Sequence, residues 1–360
     1  MNDARLKNKI LGGIFGLAVA DAVGVPVEFM SRESLRHKPV TDMRGHGTYD
    51  QPPGTWSDDT SLTLCLLDSL ANKGFDARWE LDENFAEPDY ADMMQRFISW
   101  LDKGKYTPHG EVFDVGNATR KALYRYKSGT EPLKCGGTSE NDNGNGSLMR
   151  ILPLAFYLYT LIKNMSSYAP GGRGASLIFW YTQNISSLTH GHTRSQIACG
   201  IYVAIAYFIL VGLLKDERDL KKAIRSGLKA AKNDLYDDYE KKYAKELKKH
   251  YSRIFKKNFA ELPEVEIKSS GYVVDTLEAA LWCLLNTSNY RDCVLRAVNL
   301  GEDTDTVAAI AGGLAGMFYG VNAIPNDWLN QLARRDDIEK LCNDFYDSLC
   351  RWDGEEYRTT

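Results

Sequence analysis

The sequence is poor in the features that mark several protein classes. Its 360 residues include only seven cysteines, an odd number, widely scattered and without a Cys-X-X-Cys pair. Neither a disulfide framework nor a zinc site is therefore indicated. Basic residues are not in excess, since 44 Lys and Arg face 48 Asp and Glu and the formal net charge is -4. Binding of nucleic acid through bulk positive charge is not expected. We expect reduced core thiols and a small polar substrate.

Export and membrane signals are also missing from the sequence. The first residues, MNDARLKNKILGG, mix acidic, amide and basic side chains before only a short apolar run, unlike a secretory signal. No apolar span of 18 residues is evident, and the closest stretch, residues 201–214, is interrupted by Tyr202 and Gly212. We expect a cytoplasmic protein with no membrane partner.

What the sequence does contain is helical periodicity. Apolar residues recur at helical spacing between short Gly, Asn and Pro segments, and hydrophobic residues make up 44% of the chain. We predict an all-α protein, with one domain over residues 1–360. The predicted helices cover residues 7–23, 58–72, 89–103, 147–159, 174–189, 194–214, 272–285, 290–299, 306–319 and 336–351.

Two segments differ from this pattern. An acidic loop, WELDENFAEPD, lies between Asn72 and Asp89, and residues 216–268 are dense in Lys, Glu, Asp and Tyr. The basic part of the second segment follows an equally acidic part. This favours a solvated helix face with i,i+4 pairs over a nucleic-acid patch. We interpret residues 216–268 as a charged insertion.

The first chemical constellation is GTWSDDT at residues 54–60, followed by an apolar-periodic run. Ser57 is positioned as an N-cap, with Asp58 and Asp59 in the first helical turn. Such an arrangement stabilises a helix without any further function, because it satisfies free N–H groups and complements the helix dipole. Capping is therefore the simpler interpretation of this segment taken alone.

The same pattern returns at GEDTDT, residues 301–306, before a helix rich in Ala and Gly. A helix of small residues approaches its neighbours closely, so Asp303 and Asp305 should be partly desolvated, and buried carboxylates are costly without partners. Carboxylate and hydroxyl oxygens suit Mg²⁺ or Mn²⁺ and not zinc. We therefore predict that the two acidic helix starts converge and hold two divalent cations; two unrelated caps are the alternative.

Six sequence blocks resemble the ADP-ribosylglycohydrolase family, in the family's order. They are GGIFGLAVADAVGVPVEF, GTWSDDTSL, GNGSLMRILPLA, SSLTHGHTRS, GYVVDTLEAALW and GEDTDTVAAIAGGLAGMFYG. The resemblance implies a single-domain orthogonal helical bundle and a hydrolase that removes ADP-ribose from arginine on a modified protein. It also implies two Mg²⁺ or Mn²⁺ ions bound by Ser57, Asp58, Asp59, Asp303, Asp305 and Thr306.

The resemblance further implies residues for substrate binding. Asn145, Gly146, Ser147 and Met149 match a block that contacts the phosphates and ribose of ADP-ribose. From the residues alone, Gly-Asn-Gly-Ser is a turn and cap whose N–H groups could meet a phosphate at a helix start. His190 matches a histidine near the diphosphate, although a lone histidine is more often packed or solvated.

Catalytic roles are implied for three carboxylates. Asp58 or Asp59 would accept a proton from water that attacks C1″ of the ribose, through an oxocarbenium-like transition state. Glu28, which follows a helix-ending Gly and Pro, is a candidate for proton transfer or substrate gating; a solvated loop residue is its simpler interpretation. Glu302 replaces a more common glycine and adds a carboxylate beside the site.

Three alternatives stay open on the sequence. The bond cleaved could instead be a serine, nucleic-acid or O-acetyl linkage to the same ADP-ribose. The protein could be an immunity or binding factor that neutralises an ADP-ribosyltransferase toxin, which would make the toxin a partner beside the ADP-ribosylated protein. A two-metal phosphoesterase is the third, but only Arg150 and Arg194 are available as cationic clamps.

Overall fold

The fold of this protein is built from α-helices. The computed structural model describes residues 4–73, 88–166, 174–237 and 241–354. Within these ranges there is no β-strand, only isolated bridges of Gly137 with His190 and Gly144 with Tyr272. The all-α prediction is confirmed. The helices are α1 (Ala4–Gly24), α2 (Arg32–His37), α3 (Asp58–Lys73), α4 (Tyr90–Lys103), α5 (Asn117–Lys127), α6 (Pro153–Ser166), α7 (Gly174–Ser187), α8 (Thr193–Leu214), α9 (Leu220–Asp237), α10 (Lys241–His250), α11 (Val273–Leu285), α12 (Tyr290–Val298), α13 (Thr304–Tyr319), α14 (Asn326–Gln331) and α15 (Arg335–Gly354).

Helices α1 and α13 form an antiparallel pair at the centre of the fold. Their backbones touch because glycines face each other: a Cβ atom on Gly16 would lie 2.5 Å from the carbonyl oxygen of Gly312. At the other end of the pair, a Cβ on Gly24 would lie 2.5 Å from the backbone nitrogen of Asp305. The Thr304 hydroxyl donates a hydrogen bond to the Gly24 carbonyl, 2.8 Å away. The close pairing therefore brings the C-terminal end of α1 against the acidic start of α13.

Two helices are long and apolar enough to cross a membrane by length and composition alone. They are Ala4–Val27 and Thr193–Leu214. The prediction that no apolar stretch reaches 18 residues is therefore wrong. In this structure 94% and 78% of their most apolar stretches are buried inside the protein. A helix at the centre of a helical protein is apolar on all sides because it is buried on all sides.

Most predicted helices have observed bounds within three residues of those expected, with one informative exception. The helix predicted from Ser147 begins only at Pro153, and the preceding residues form successive turns that start at Asn145. Proline has no N–H and a fixed φ, so it suits a first helical turn, and it disfavours helical backbone in the residue before it. The predicted ranges did not include α2, α5 and α14, nor α9 and α10 within the charged segment.

The charged segment 216–268 is more than a solvated face. The Tyr243 hydroxyl donates to the side-chain oxygen of Gln196 at 2.6 Å, and the Tyr251 hydroxyl donates to the Arg194 carbonyl at 2.7 Å. These bonds attach α10 and the turn after it to α8. The outer face of α10 is exposed to solvent, as predicted, and carries Lys241, Lys242, Lys245, Lys248 and Lys249. The organisation as one domain with an insertion stays a prediction.

The cysteine prediction is confirmed, since all seven cysteines are free thiols. Six of them are buried, and Cys350 is half-buried. The predicted acidic loop falls almost entirely on residues 74–87, outside the described residues.

Candidate metal centre

The centre is organised around Asp21, a fully buried carboxylate near the end of α1. Asp21 accepts hydrogen bonds from the backbone N–H groups of Ser57 and Thr60, at 3.0 to 3.1 Å, and from the Thr60 hydroxyl at 2.6 Å. It therefore caps the start of α3 from a different helix. Sequence reasoning missed this role, although Asp21 is the only charged residue between Lys9 and Glu28.

The start of α3 has the predicted capped geometry. The Ser57 hydroxyl oxygen accepts a hydrogen bond from the Asp59 N–H at 3.2 Å, as an N-cap residue does. Asp59 is buried, and its Oδ1 accepts a bond of 3.3 Å from the Thr306 hydroxyl of α13. Asp58 is also buried, and its Oδ2 accepts a bond of 3.4 Å from the Gly116 N–H. The two predicted acidic segments thus meet, as expected.

The start of α13 completes the centre. Asp305 is buried, and Asp303 at the N-cap position accepts a hydrogen bond of 2.6 Å from the Asn145 side-chain amide. Carboxylate oxygens of Asp21, Asp59 and Asp305 lie within 4.8 Å of one another, and so do those of Glu28, Asp114 and Asp305. Asp305 therefore belongs to two adjacent groups of three carboxylates.

The donor atoms of this centre fit a hard divalent cation. Burial and repulsion from neighbouring carboxylates raise the pKa of Asp58, Asp59 and Asp305 well above the usual aspartate range. Among the described residues, Asp59 Oδ2 and Glu28 Oε2 are buried oxygens without a hydrogen-bond partner. Buried carboxylates of this kind need either protons or cations. An all-oxygen set suits Mg²⁺ or Mn²⁺.

Glu28 does not lie in a solvated loop. It is 94% buried, since its relative exposure is 6%, and burial followed by repulsion from Asp114 raises its pKa to about 8. Its backbone segment is joined to the start of α13 by two hydrogen bonds, Phe29 N–H to the Glu302 carbonyl at 2.7 Å and Glu302 N–H to the Met30 carbonyl at 2.8 Å. The Glu302 side chain is exposed to solvent.

Asp114 and Tyr49 are further residues of the centre that sequence reasoning missed. The Tyr49 hydroxyl adjoins the carboxyl groups of Glu28 and Asp114, and Asp114 also adjoins Asp58. The Tyr49 ring packs on Phe113, with centroids 5.0 Å apart. Both Tyr49 and Asp114 lie in connecting segments with no periodicity to mark them. Only their position in space assigns them to the site.

We expect the Tyr49→Phe variant to lose roughly tenfold in kcat with little change in KM. The substitution keeps the ring against Phe113 but removes the hydroxyl that adjoins Glu28 and Asp114. A hydrogen bond that a hydroxyl donates to a charged group in a working active site is worth about 1.5 kcal/mol. Steady-state kinetics with an ADP-ribosylated substrate measure both constants. Tyr124→Phe, at an exposed tyrosine of α5, is the matched control. An unchanged kcat for Tyr49→Phe would contradict this positioning role.

The predicted substrate block lies beside the acidic centre but differs from the expected phosphate cradle. Asn145 joins the block to Asp303, yet Ser147 lies in a turn and not at a helix start. Ser147 is fully buried, and its hydroxyl oxygen accepts a bond of 2.9 Å from the Ser186 hydroxyl. Met149 is also buried, at 3% exposure. Direct phosphate contact by the Ser147 hydroxyl is therefore not supported, because the hydroxyl faces the interior.

His190 adjoins the same loop. A Cβ atom on Gly146 would lie 2.8 Å from Cε1 of His190, so only glycine lets the loop pass this close. Burial lowers the pKa of His190 to about 3, and its Nδ1 is 2.8 Å from the Thr189 hydroxyl. The imidazole of His190 is therefore neutral and packs against the loop at Gly146.

The two arginines of the phosphoesterase alternative are both engaged. Arg150 is fully buried, donates to the Gly146 carbonyl and stands over the Phe97 ring. Arg194 forms ion pairs with Glu246 at 2.8 Å and Glu140 at 2.9 Å. Neither guanidinium is available to clamp a leaving phosphate.

The buried carboxyls predict how stability of the metal-free protein depends on pH. Burial raises the pKa of Asp21 to about 6 and that of Glu28 to about 8, whereas carboxyl groups of the unfolded chain have pKa values near 4. Between these values the folded protein holds more protons than the unfolded chain, so raising the pH favours unfolding. This contribution to stability is complete below about pH 4 and is lost as pH rises to about 8.

We therefore expect chelator-treated protein to have a lower Tm at pH 8 than at about pH 5.5. Bound Mg²⁺ or Mn²⁺ should reduce the difference, because cations replace the protons that the carboxylates need. Differential scanning calorimetry with and without chelator measures it. A metal-free Tm that rises steadily over this pH range would contradict the prediction.

Comparison with known proteins adds independent information. The sequence profile of the ADP-ribosylglycohydrolase family matches residues 2–355. The chain is similar to ADP-ribosylarginine hydrolase Tri1 of Pseudomonas putida (strain GB-1), with 33% identity over 93% of this chain and 77% of that protein. It is also similar to ADP-ribosyl-[dinitrogen reductase] glycohydrolase of Rhodospirillum rubrum, with 32% identity over 92% of each. A solved ADP-ribosylglycohydrolase-related protein complex matches with a TM-score of 0.69 and 30% identity, over 96% of this chain and 99% of that chain.

Proposed function

This chain belongs to the ADP-ribosylglycohydrolase family, and from that premise we propose that it hydrolyses the N-glycosidic bond of ADP-ribosylated arginine on protein substrates. It is a hydrolase with an acidic centre able to bind ions. The observation that carries the proposal is the convergence of buried carboxylates from α1, α3 and α13 around Asp305. Relatives named for arginine-linked ADP-ribose support the choice of linkage.

We propose that the cations are two Mg²⁺ or Mn²⁺ ions, since two groups of three carboxylates share Asp305. The ligands would come from both acidic helix starts, with Thr306 and Ser57 as neighbouring hydroxyl oxygens. When bound, divalent cations would orient ribose hydroxyls and water and offset the buried negative charge. The two unpartnered oxygens, Asp59 Oδ2 and Glu28 Oε2, support occupancy by cations.

The protein's own groups have separable roles in the proposed reaction. Water attacks C1″, and its proton passes to Asp58, where burial and repulsion from the neighbouring Asp114 carboxyl favour the protonated form. Asp59 is then a ligand rather than the base. With cations bound, Glu28 would be a ligand in the second group of carboxylates. The guanidine would then leave with the proton that Asp58 accepted from water.

The test is release of ADP-ribose from a protein ADP-ribosylated on arginine, with Mg²⁺, with Mn²⁺ and with chelator. A serine-ADP-ribosylated peptide run in parallel distinguishes the linkage. We expect release from arginine that depends on metal and exceeds release from serine. Faster release from the serine-linked peptide would mean that the protein cleaves the serine linkage and not the arginine linkage. No release from either substrate, with ADP-ribose still bound in calorimetry, would favour a binding role such as neutralising an ADP-ribosyltransferase toxin.

We further propose that the protein acts in the cytoplasm. Seven free cysteines, six of them buried, are typical of a reducing compartment. Fractionation of the native host, with blotting for the protein, tests this location.

A further inference from the structure

Phe29 is an exposed aromatic residue beside the acidic centre. Only four large hydrophobic side chains in the described residues are exposed, and Phe29 is among the most exposed, at 70%. The next residue, Met30, packs against the hydrophobic core, whereas Phe29 does not. Phe29 directly follows Glu28, which belongs to the carboxylate cluster. Its ring is therefore held in solvent at the edge of the proposed reaction site.

The backbone at Phe29 is in a conformation that a phenylalanine rarely adopts. Its φ is +65°, in the left-handed region, where any side chain with a Cβ is strained. The conformation is maintained by the hydrogen bond from the Phe29 N–H to the Glu302 carbonyl, 2.7 Å long. Glu302 is itself left-handed, with φ of +63°. Phe29 thus lowers stability through both exposure and strain, while a backbone hydrogen bond holds it beside the start of α13.

The location of Phe29 matches where a modified protein must approach. The ribose to be cleaved has to reach the carboxylates, and the arginine and its polypeptide then lie on the solvent side of them. Phe29 and Glu302 are both exposed, and they lie on the two segments that supply Glu28 and Asp303. An aromatic face in this place can contact the residues that neighbour the modified arginine in the polypeptide.

Resting on the proposed function, we infer that Phe29 is a specificity-determining contact for the polypeptide that carries the modified arginine. It touches the protein part of the substrate and takes no part in bond cleavage. Its removal therefore weakens recognition of a modified protein and leaves turnover of free ADP-ribosyl-arginine intact. The strained, exposed conformation is retained because it presents the ring to that polypeptide.

The experiment compares Phe29→Ala and Phe29→Gly with wild type on two substrates, an arginine-ADP-ribosylated protein and free ADP-ribosyl-arginine. We expect kcat/KM on the protein to fall about tenfold, mostly through KM, which corresponds to loss of one buried aromatic contact. On free ADP-ribosyl-arginine we expect a change within about twofold. We also expect Phe29→Gly to raise Tm by about 2 °C, because glycine relieves the strain at positive φ.

Val265→Ala is the matched control, since Val265 is 76% exposed and is not a sequence neighbour of any residue in the two groups of three carboxylates. It should change neither substrate's kinetics. Equal losses on both substrates, or no loss on the protein, would overturn the assignment of Phe29 while leaving the proposed function in place. If wild type releases ADP-ribose from neither substrate, the proposed function fails first and the assignment fails with it.

Discussion

Replacing Asp305 by asparagine should abolish metal-dependent hydrolysis while making the metal-free protein more stable. Asp305 belongs to both groups of three carboxylates, so the change removes a ligand shared by the whole centre. We expect the rate to fall on the order of a thousandfold or more, since the electrostatic stabilisation is lost where charge develops. Steady-state release of ADP-ribose at saturating Mn²⁺ measures this loss.

The stability change has the opposite sign for a physical reason. Burial and repulsion from Glu28, Asp59 and Asp303 raise the pKa of Asp305 well above its usual range, so its charged form is disfavoured in the folded protein. Asparagine has nearly the same shape without the charge. In chelator at pH 8 we expect the Tm to rise by about 2 °C or more, and the further rise caused by Mn²⁺ to disappear.

Asp344→Asn is the control for this pair of measurements. Asp344 lies on the surface of α15 and pairs with Lys340 at 3.0 Å, so its removal should leave activity and metal response as in wild type. Metal-dependent release that survives in Asp305→Asn would show that Asp305 is not a ligand. A lower metal-free Tm would instead show that Asp305 is stabilised by contacts other than cations.

The Gly16→Ala substitution should be among the most destabilising single changes in the protein. The new Cβ would lie 2.5 Å from the Gly312 carbonyl oxygen and 2.9 Å from the Gly316 Cα, and both are backbone atoms that cannot rotate away. The Gly16 carbonyl also accepts a hydrogen bond of 2.7 Å from the buried Tyr290 hydroxyl. We expect a loss of about 3 kcal/mol or more in the free energy of unfolding, the upper end of overpacking costs.

The same substitution should weaken metal binding at a distance. A helix pushed off α13 shifts Asp303 and Asp305 relative to Asp21, which lies on α1 only five residues beyond Gly16. Urea denaturation measures the stability, and titration with Mn²⁺ measures the affinity. Gly116→Ala is the matched control, because a Cβ there meets only the Thr119 hydroxyl at 3.8 Å and the backbone φ is -58°. A Gly16→Ala variant as stable as this control would contradict the close-packed pairing of α1 with α13.

Local sequence patterns were sufficient for the two acidic helix starts. A Ser followed by two Asp before an apolar run, and alternating Asp and Thr before an Ala-Gly run, mark N-termini through capping, which depends on residues close in sequence. The same local rules failed at Ser147, because the apolar residues from Leu148 to Leu152 mimic a helix while Pro153 sets where the helix can begin.

By itself, the sequence determined the helical class, the acidic starts of α3 and α13, and the oxygen-rich chemistry of the acidic cluster. The tertiary structure alone decided that Asp21 caps α3, that Asp114 and Tyr49 join Glu28, and that Ser147 faces the interior. The physical reason is range. Capping and periodicity act within a few residues, whereas a carboxylate becomes a ligand or a cap for another helix only when packing, here the glycine contact of α1 with α13, brings distant segments together.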